Sequence, residues 1–315
     1  MCLMEPKKLR RDFPPSHRYL VGVSGGRDSI ALLHWLLESG YENLVVCHLN
    51  HQLRGSSSDR DAKFVEKFAA QHDLDLETSS ANVRAVATKK KISVEAAARD
   101  ARYNFFAQIA RARDTQTIFL AHHADDLVET FLINLFRGSG TTGLGAMREI
   151  SNRREDDVDL TVVRPFLGIW RSEIDEYVRE HRLKFREDES NKDLAALRNR
   201  IRQRIIPFLE KTLGRNIRQN IFRAAVIAAE EENWIEDQLP NAADVDLSVS
   251  KLRDLPIALQ RREILRWLRK RKITNVGFDV VEDVRSLLDV DSGVAKVNLP
   301  QDRHVRRRAG KIFVE

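Results

Sequence analysis

The sequence predicts an α/β fold built on a parallel sheet, on three observations. Tyr19-Leu20-Val21-Gly22-Val23 is a short β-type apolar stretch that runs through Ser24-Gly25-Gly26-Arg27-Asp28-Ser29 into the helix-period run of residues 30–37. Strand-like and helix-like segments then alternate through the first half of the chain, the pattern of a parallel sheet with crossover helices. Finally, Ser24, the stretch 48–50 and the stretch 122–126 are far apart in sequence, yet each falls at the carboxyl end of an expected strand. In open α/β sheets ligands gather at those ends, so a single site explains all three.

Each element follows from its own pattern. After the first helix, residues 44–49 (Leu-Val-Val-Cys-His-Leu) read as a buried second strand, 59–72 as a helix, 74–78 as a third strand and 94–112 as a long helix. Residues 117–121 (Thr-Ile-Phe-Leu-Ala) form a fourth strand, followed by a helix over 124–136. The polar run 151–159 (Ser-Asn-Arg-Arg-Glu-Asp-Asp-Val-Asp) is expected to be an exposed loop before Leu160-Thr161-Val162-Val163. Residues 173–182 read as a helix, and 198–229 are helical with Pro207 and Gly214 as punctuation. Residues 240–244 (Pro-Asn-Ala-Ala-Asp) look like a linker. Beyond it lies a small α+β module, with helices near 255–271 and 279–288 and strands near 295–299, 303–307 and 311–314. This divides the chain into an α/β domain, 1–214, and a helical linker plus small α+β domain, 215–315.

Composition narrows the class. The 315 residues, 42% of them hydrophobic, suffice for a packed core and exclude wholesale disorder. Lys and Arg number 53 against 47 Asp and Glu, a formal charge of +6, so the distribution of charge carries more information than its sum. The two cysteines, Cys2 and Cys47, give no CxxC, hence no zinc ribbon, iron–sulfur ligand set or disulfide framework. With no apolar h-region at the start and no apolar run of membrane-spanning length, the expected compartment is the cytosol, with no membrane partner.

The Ser24–Ser29 turn has the makings of a phosphate cradle. Adjacent glycines let backbone N–H groups point at an anion, and the following helix adds the positive end of its dipole. It lacks the Lys-Ser/Thr ending of a Walker A loop and carries Asp28 instead; a carboxylate beside a triphosphate makes chemical sense with a magnesium ion between them. The plainer alternative is a Ser/Gly turn in which Ser24 or Asp28 only caps the helix.

A second constellation is Ala121-His122-His123-Ala124-Asp125-Asp126-Leu127-Val128-Glu129-Thr130. Asp126 and Glu129 lie three apart on one helix face and can converge on a cation. His122 is expected to face the phosphate loop, as a phosphate-binding cation or as an acid/base. Capping charges at a helix N-terminus are the alternative for the acids. A zinc pair is disfavoured, because adjacent histidines aim their rings apart and no cysteine is near. Glu95, Arg99 and Arg102 share one side of the helix over 94–112, and a guanidinium there suits phosphate better than an ammonium would. The glycine-rich run 137–145 reads either as a helix C-cap or as a basic lip over a nucleotide. Arginines 198, 200, 202 and 204 alternate after an acidic turn at 187–191. With Arg261, Arg262, Arg266 and residues 269–272, and with Arg303 and residues 306–308, they suggest tracks for a nucleic-acid backbone, or else solvated faces.

Taken in order, these stretches resemble the tRNA(Ile)-lysidine synthetase family of PP-loop ATP pyrophosphatases. The resemblance rests on the SGGxDS loop, the stretch from His48 to Arg54, the EAAARxARY helix, the HHxDDxxET block and RGSGxxGL. Arg164-Pro165-Phe166-Leu167, with Phe166 in place of the usual Leu, and EDxSNxD followed by RNRIR complete it. It covers roughly residues 19–209, with weaker similarity beyond, and implies a Rossmann-like PP-loop ATPase domain. It also implies a short form of the family, without a further RNA-holding domain. The implied activity uses ATP and Mg2+ to adenylate the wobble cytidine of the CAU anticodon of tRNA(Ile); free L-lysine then displaces AMP. By matching motifs, Ser24, Gly25, Gly26, Arg27, Asp28 and Ser29 would bind ATP, and Asp28 and Asp126 would be the magnesium-linked carboxylates. Asp28, Arg102, His122, Asp126 and Glu129 would form the catalytic set, with Arg99 as the alternative to Arg102. A homodimer is compatible with this reading. The rivals are another PP-loop enzyme, such as a tRNA thiolase or an amidotransferase-linked synthetase, and a nucleotide-sensing RNA-binding module. Thiolases of this type need a cluster-holding cysteine pair that this chain lacks.

Overall fold

The computed structural model describes residues 6–53, 56–187, 196–239, 246–289 and 293–315. The expected linker at 240–244, Arg54, and residues 188–191 of the acidic turn lie outside them. The chain divides into two units, Met1–Ala229 and Glu230–Glu315.

Unit 1 is a six-stranded sheet in the order β3-β2-β1-β4-β6-β5. Helix α1 (Pro6–Asp12) precedes β1 (Tyr19–Gly22), α2 (Arg27–Glu38), β2 (Leu44–Asn50), α3 (Ser56–Gln71), β3 (Asp75–Ser80), α4 (Val83–Lys90), α5 (Val94–Ala112) and β4 (Thr117–Phe119). Then come α6 (Ala124–Phe136), the single turn α7 (Thr141–Leu144), β5 (Ile150–Glu155), β6 (Val158–Val163) and α8 (Arg171–Glu180). Strands β1, β2, β3, β4 and β6 run parallel, and β5 is antiparallel to β6. The central strands are covered on both faces. Tyr19, Val21, Val23, Leu44 and Val46 pack with α2, α3 and α8, whereas Leu20, Val45 and Cys47 pack with Phe105, Phe106 and Ala110 of α5. That burial on both faces explains why the strands read as continuous apolar runs. Gly22 lies against Leu120, just after β4, and against α5: a Cβ there would stand 2.5 Å from Leu120 Cδ2 and 3.1 Å from Phe106 Cζ.

The order reverses at β1. The chain winds outward through β2 and β3 and then returns to place β4 on the other side of β1. The crevice between the ends of β1 and β4 is therefore the topological switch point, the usual ligand position in such sheets.

The polar run after 150 differs from its expectation as a loop. Residues 150–155 form the edge strand β5, paired in register with β6 from Ile150↔Val163 to Glu155↔Val158. Asp156 and Asp157 turn the chain with φ of 45° and 63°. A two-residue turn with both φ positive matches the twist of a hairpin, and Asp tolerates that conformation. Charged alternation is how edge strands stay unpaired with other chains, so polarity here marks an edge rather than a loop.

The helices after α8 are α9 (Leu197–Arg200), a π-turn over Ile201–Ile205, α10 (Ile206–Leu213) and α11 (Arg218–Asp237), which runs through the division at 229/230. Unit 2 holds β7 (Leu247–Ser248), α12 (Val249–Arg253), α13 (Ile257–Lys270), α14 (Phe278–Ser286), β8 (Lys296–Leu299), β9 (Arg303–Arg308) and β10 (Lys311–Val314). Its antiparallel sheet has the order β7-β10-β9-β8 and its own core of Trp267, Ile264, Val284, Val305 and Ile312. No described helix is long and apolar enough to cross a membrane.

Candidate active site

The loop after β1 is held open by its own side chains. Gly25 takes φ +83°, a conformation that favours glycine. The Ser29 hydroxyl donates to the Gly26 carbonyl at 2.9 Å and accepts from the Ser24 N–H at 3.2 Å, while Gly26 N–H donates to Ser24 Oγ at 3.2 Å. Beneath the loop, buried His48 places Nδ1 2.9 Å from the Val23 carbonyl. A carbonyl only accepts, so Nδ1 carries the proton and the ring pins the start of the turn. Arg186 N–H closes the other side on the Gly25 carbonyl at 2.9 Å. The N-terminus of α2 follows directly, with Gly26 as its extended N-cap. A nest with this geometry, ending on a helix dipole, fits a polyphosphate.

The β4–α6 junction stands beside the loop. His123 is the N-cap of α6 in extended backbone, and Asp126 accepts its N–H at 3.2 Å, one half of a capping box. The His123 ring is 2% exposed, and its Nε2 lies 3.8 Å from Asp28 Oδ2 and 3.5 Å from Asp126 Oδ2. The two carboxylates read from the sequence as magnesium-linked therefore flank one imidazole nitrogen. Arg27, next in chain, holds Asp28 Oδ1 at 3.2 Å and also binds Asp175 of α8.

His123, rather than His122, reaches Asp28, because neighbouring side chains on extended backbone point opposite ways. His122 sits instead within the charge field of Arg164, Asp126, Arg102 and Arg198; burial first, then Arg164, pulls its pKa down to about 3. At neutral pH it is an uncharged imidazole, which leaves the cationic phosphate role to the guanidiniums. Of the two candidates on α5, Arg102 is half-buried with NH2 3.5 Å from His51 Nε2, whereas Arg99 is exposed and leans over the Tyr103 ring. Burial lowers the Arg102 pKa, with Arg99 and Arg198 adding to the effect.

The alternating arginines divide between two faces. Arg202 Nε donates to Glu129 Oε1 at 2.5 Å, and its NH2 reaches Glu129 Oε2 at 3.1 Å and Asp126 Oδ1 at 3.3 Å. Arg198 NH1 lies 3.9 Å from Asp126 Oδ1, and its NH2 donates to Thr130 Oγ1 at 3.0 Å. Residues 198 and 202 share a helical face turned inward, whereas Arg200 and Arg204 are exposed. The i, i+4 spacing was the available signal; the adjoining π-turn, a feature common at functional sites, was not legible in it. Burial pushes the Glu129 carboxyl up against the pull of Arg202. For Asp126 burial works the same way, but His123, His122, Arg198 and Arg202 outweigh it and hold the carboxyl below its ordinary range. Two acids one helical turn apart are thereby driven in opposite directions, a pattern typical of reactive sites.

Further arginines complete the wall. Arg164 is 5% exposed and donates to the Arg148 carbonyl and to Ser151 Oγ, both on or before β5. Arg218 of α11 and the Arg171 N–H both bind Asp125, which fixes the first turn of α6. The glycine run reads as packing: Arg137 caps α6, Gly138 takes φ +75°, and a Cβ on Gly145 would meet the Ala229 backbone at 2.6 Å. Among the described residues no group of three or more His, Cys, Asp or Glu side chains could hold a metal ion by itself.

Comparison with known proteins places this geometry. The profile of the PP-loop domain family matches residues 4–209, and that of the TilS substrate binding domain matches residues 247–313. The chain is 37% identical over 314 residues to a tRNA(Ile)-lysidine synthase of Geobacter sulfurreducens, covering 95% of this chain and 65% of that one. It is 34% identical to the tRNA(Ile)-lysidine synthase of Chlorobaculum tepidum, covering 87% of this chain and 84% of that one. The chain spans only 53% of a Bacillus subtilis tRNA(Ile)-lysidine synthase to which it is 35% identical. Among solved structures, the U34-tRNA thiolase NcsA from Methanococcus maripaludis superposes with a TM-score of 0.54 at 17% identity, over 71% of this chain and 78% of that one, a likeness of fold. A glycine nest at the switch point of a parallel sheet, an acid pair beside it, a PP-loop profile over residues 4–209 and a relative 34% identical and covered over 84% of its own length lead to one conclusion: the chain belongs to the tRNA(Ile)-lysidine synthase family of PP-loop proteins.

Proposed function

We propose that this protein ligates free L-lysine to the wobble cytidine of the CAU anticodon of tRNA(Ile), with ATP as the activating reagent. The observation that carries the reading is the convergence of Asp28, from the Ser24–Ser29 nest, and Asp126, from α6, on His123 at the switch point of the sheet. A cytosolic setting suits such a substrate, and the small C-terminal domain is assigned to the tRNA.

The nest and the N-terminus of α2 receive the phosphates of ATP through backbone N–H groups. Asp28 and Asp126 would hold a magnesium ion through their carboxylate oxygens, the hard ligands this ion takes. A magnesium ion bound there would supply charge neutralisation at the departing phosphates. The ring carbonyl oxygen of the cytidine attacks the α-phosphorus, the bond to the β-phosphate oxygen breaks, and pyrophosphate departs with that electron pair. Arg102 offers a forked donor to the crowded α-phosphate. His122, neutral at working pH, hydrogen-bonds there without adding charge. The lysine amine then attacks the activated ring carbon, loses a proton, and AMP leaves with the former carbonyl oxygen. Decoding changes from AUG to AUA.

Before ATP arrives, Arg198 and Arg202 neutralise Asp126 and Glu129. Loading of the phosphates exchanges those guanidiniums from carboxylate to phosphate partners, so the site keeps its charge balance. Incorporation of radiolabelled lysine into tRNA(Ile) bearing CAU, dependent on ATP, tests the proposal. A thiolase would incorporate none.

A further inference from the structure

Unit 2 presents one of its sheet faces to solvent, and that face is basic. Strand register sorts the residues. Lys311 lies opposite Arg308 on one side and Ser248 on the other; Arg306 lies between Phe313 and Lys296; His304 lies opposite Asn298. In antiparallel pairs, opposite residues share a face. The other face carries Val305, Ile312, Leu247 and Leu299, all buried against Trp267 and Val284. Arg303 and Arg307 point to that inner side, where they donate to the Arg271 carbonyl and to the Leu287 and Asp289 carbonyls. These two arginines are braces. Arg261, Arg262 and Arg266 are likewise bound, to Glu282, Glu232 and Glu263. The positive charge left facing outward on the sheet is Lys296, Arg306, Arg308 and Lys311, each of them exposed. Of these four, Arg306 is paired with an acid, Glu315 at 2.8 Å.

We infer that this outer sheet face, with Lys296, Arg308 and Lys311 as its principal contacts, binds the sugar-phosphate backbone of the tRNA substrate. The inference rests on the tRNA reading above and goes beyond it in naming the surface. Charge complementarity selects the occupant. Three cations on neighbouring strands, spaced by sheet geometry over adjacent rows, suit a run of phosphates, which bind largely by counterion release. The rigid sheet fixes their spacing at little further entropic loss. An acidic protein surface is the competing occupant and is decided by the same experiment.

The test compares two triple charge reversals in the full chain. K296E/R308E/K311E alters the face, and R253E/R269E/K272E alters three exposed cations elsewhere in the same unit, on helices α12 and α13 and just beyond α13. Filter binding of tRNA(Ile) at several salt concentrations is read alongside lysine incorporation at saturating ATP. The face variant is expected to weaken tRNA binding about tenfold or more and to flatten the salt slope by about 2 to 3. Its turnover at saturating tRNA and its KM for ATP should stay as in the parent. Equal losses from both triples would reduce the effect to net charge and overturn the inference, as would an unchanged face variant. Should the reversal disturb folding, K296Q/R308Q/K311Q gives a smaller shift in the same direction. Parent protein that incorporates lysine while the face variant binds tRNA normally contradicts the inference alone. Parent protein that binds tRNA through this face but incorporates no lysine contradicts the proposed function alone.

Discussion

Asp28 opens the first turn of α2 with His123 on one oxygen and Arg27 on the other, and it was readable because a phosphate loop without lysine calls for another charge device. Replacing it with alanine is expected to abolish ATP–pyrophosphate exchange in the presence of tRNA while the melting curve stays close to that of the parent. Exchange near the normal rate in a folded variant would remove Asp28 from the chemistry. Arg102→Ala should lower turnover by about 10²–10³-fold, the usual consequence of losing one electrostatic donor, with little change in the KM for lysine. His122 makes a prediction in pH. Its pKa falls from 6.5 to about 3 on folding, so the unfolded chain binds the extra proton first. Stability is then complete above 6.5 and drains away as pH falls toward 3. His122→Asn should flatten the acid limb of a thermal-melt series between those values; an unchanged limb would contradict the burial argument. His123 went unranked in the sequence for a simple reason: adjacent histidines look equivalent until the backbone at a helix N-cap decides which ring turns toward the loop.

At the level of elements, periodicity carried most of the information. The helix expected at 94–112 is α5 without change, and the strand expected at 311–314 is β10. Where an element escaped, its stabilising contacts lay outside its own pattern. Strand β5 looks polar because it is an edge, and the π-turn over Ile201–Ile205 carries Arg202, whose partner Glu129 lies on α6. Helix α4 was passed over because only eight residues carry it, with Asn82 accepting the Ala85 N–H at 3.0 Å as its cap. Gly22 offers a test of the layer contact between β1 and α5. Gly22→Ala forces a Cβ to 2.5 Å from Leu120 Cδ2 and should cost about 1–3 kcal/mol in chemical denaturation, the range for an overpacked core. A change below a few tenths would mean that Leu120 and Phe106 move aside freely.

For the whole molecule, the sequence showed an α/β pattern followed by a small α+β one, and the structure has a mainly parallel unit, Met1–Ala229, and an antiparallel unit, Glu230–Glu315, each with its own core. What it could not show was which basic residues are free to meet a polyanion. Arg303 and Arg306 are three residues apart in one strand, yet one braces a helix carbonyl and the other faces solvent. Only strand register separates them. Because each unit buries its own core, deletion of the residues after 240 is expected to leave ATP binding largely intact and to weaken tRNA binding strongly. Parallel loss of both affinities would make the C-terminal unit a brace for the catalytic sheet.

The central claim is that the phosphate nest activates a tRNA base for attack by lysine. Purified protein incubated with ATP, magnesium, radiolabelled lysine and tRNA(Ile) transcript bearing CAU measures it in one tube. The account predicts acid-precipitable lysine in proportion to pyrophosphate released, none without ATP, none with Asp28→Ala, and none with a transcript whose wobble cytidine is replaced by uridine. Pyrophosphate release without lysine in the RNA, or equal incorporation into the uridine transcript, would contradict it.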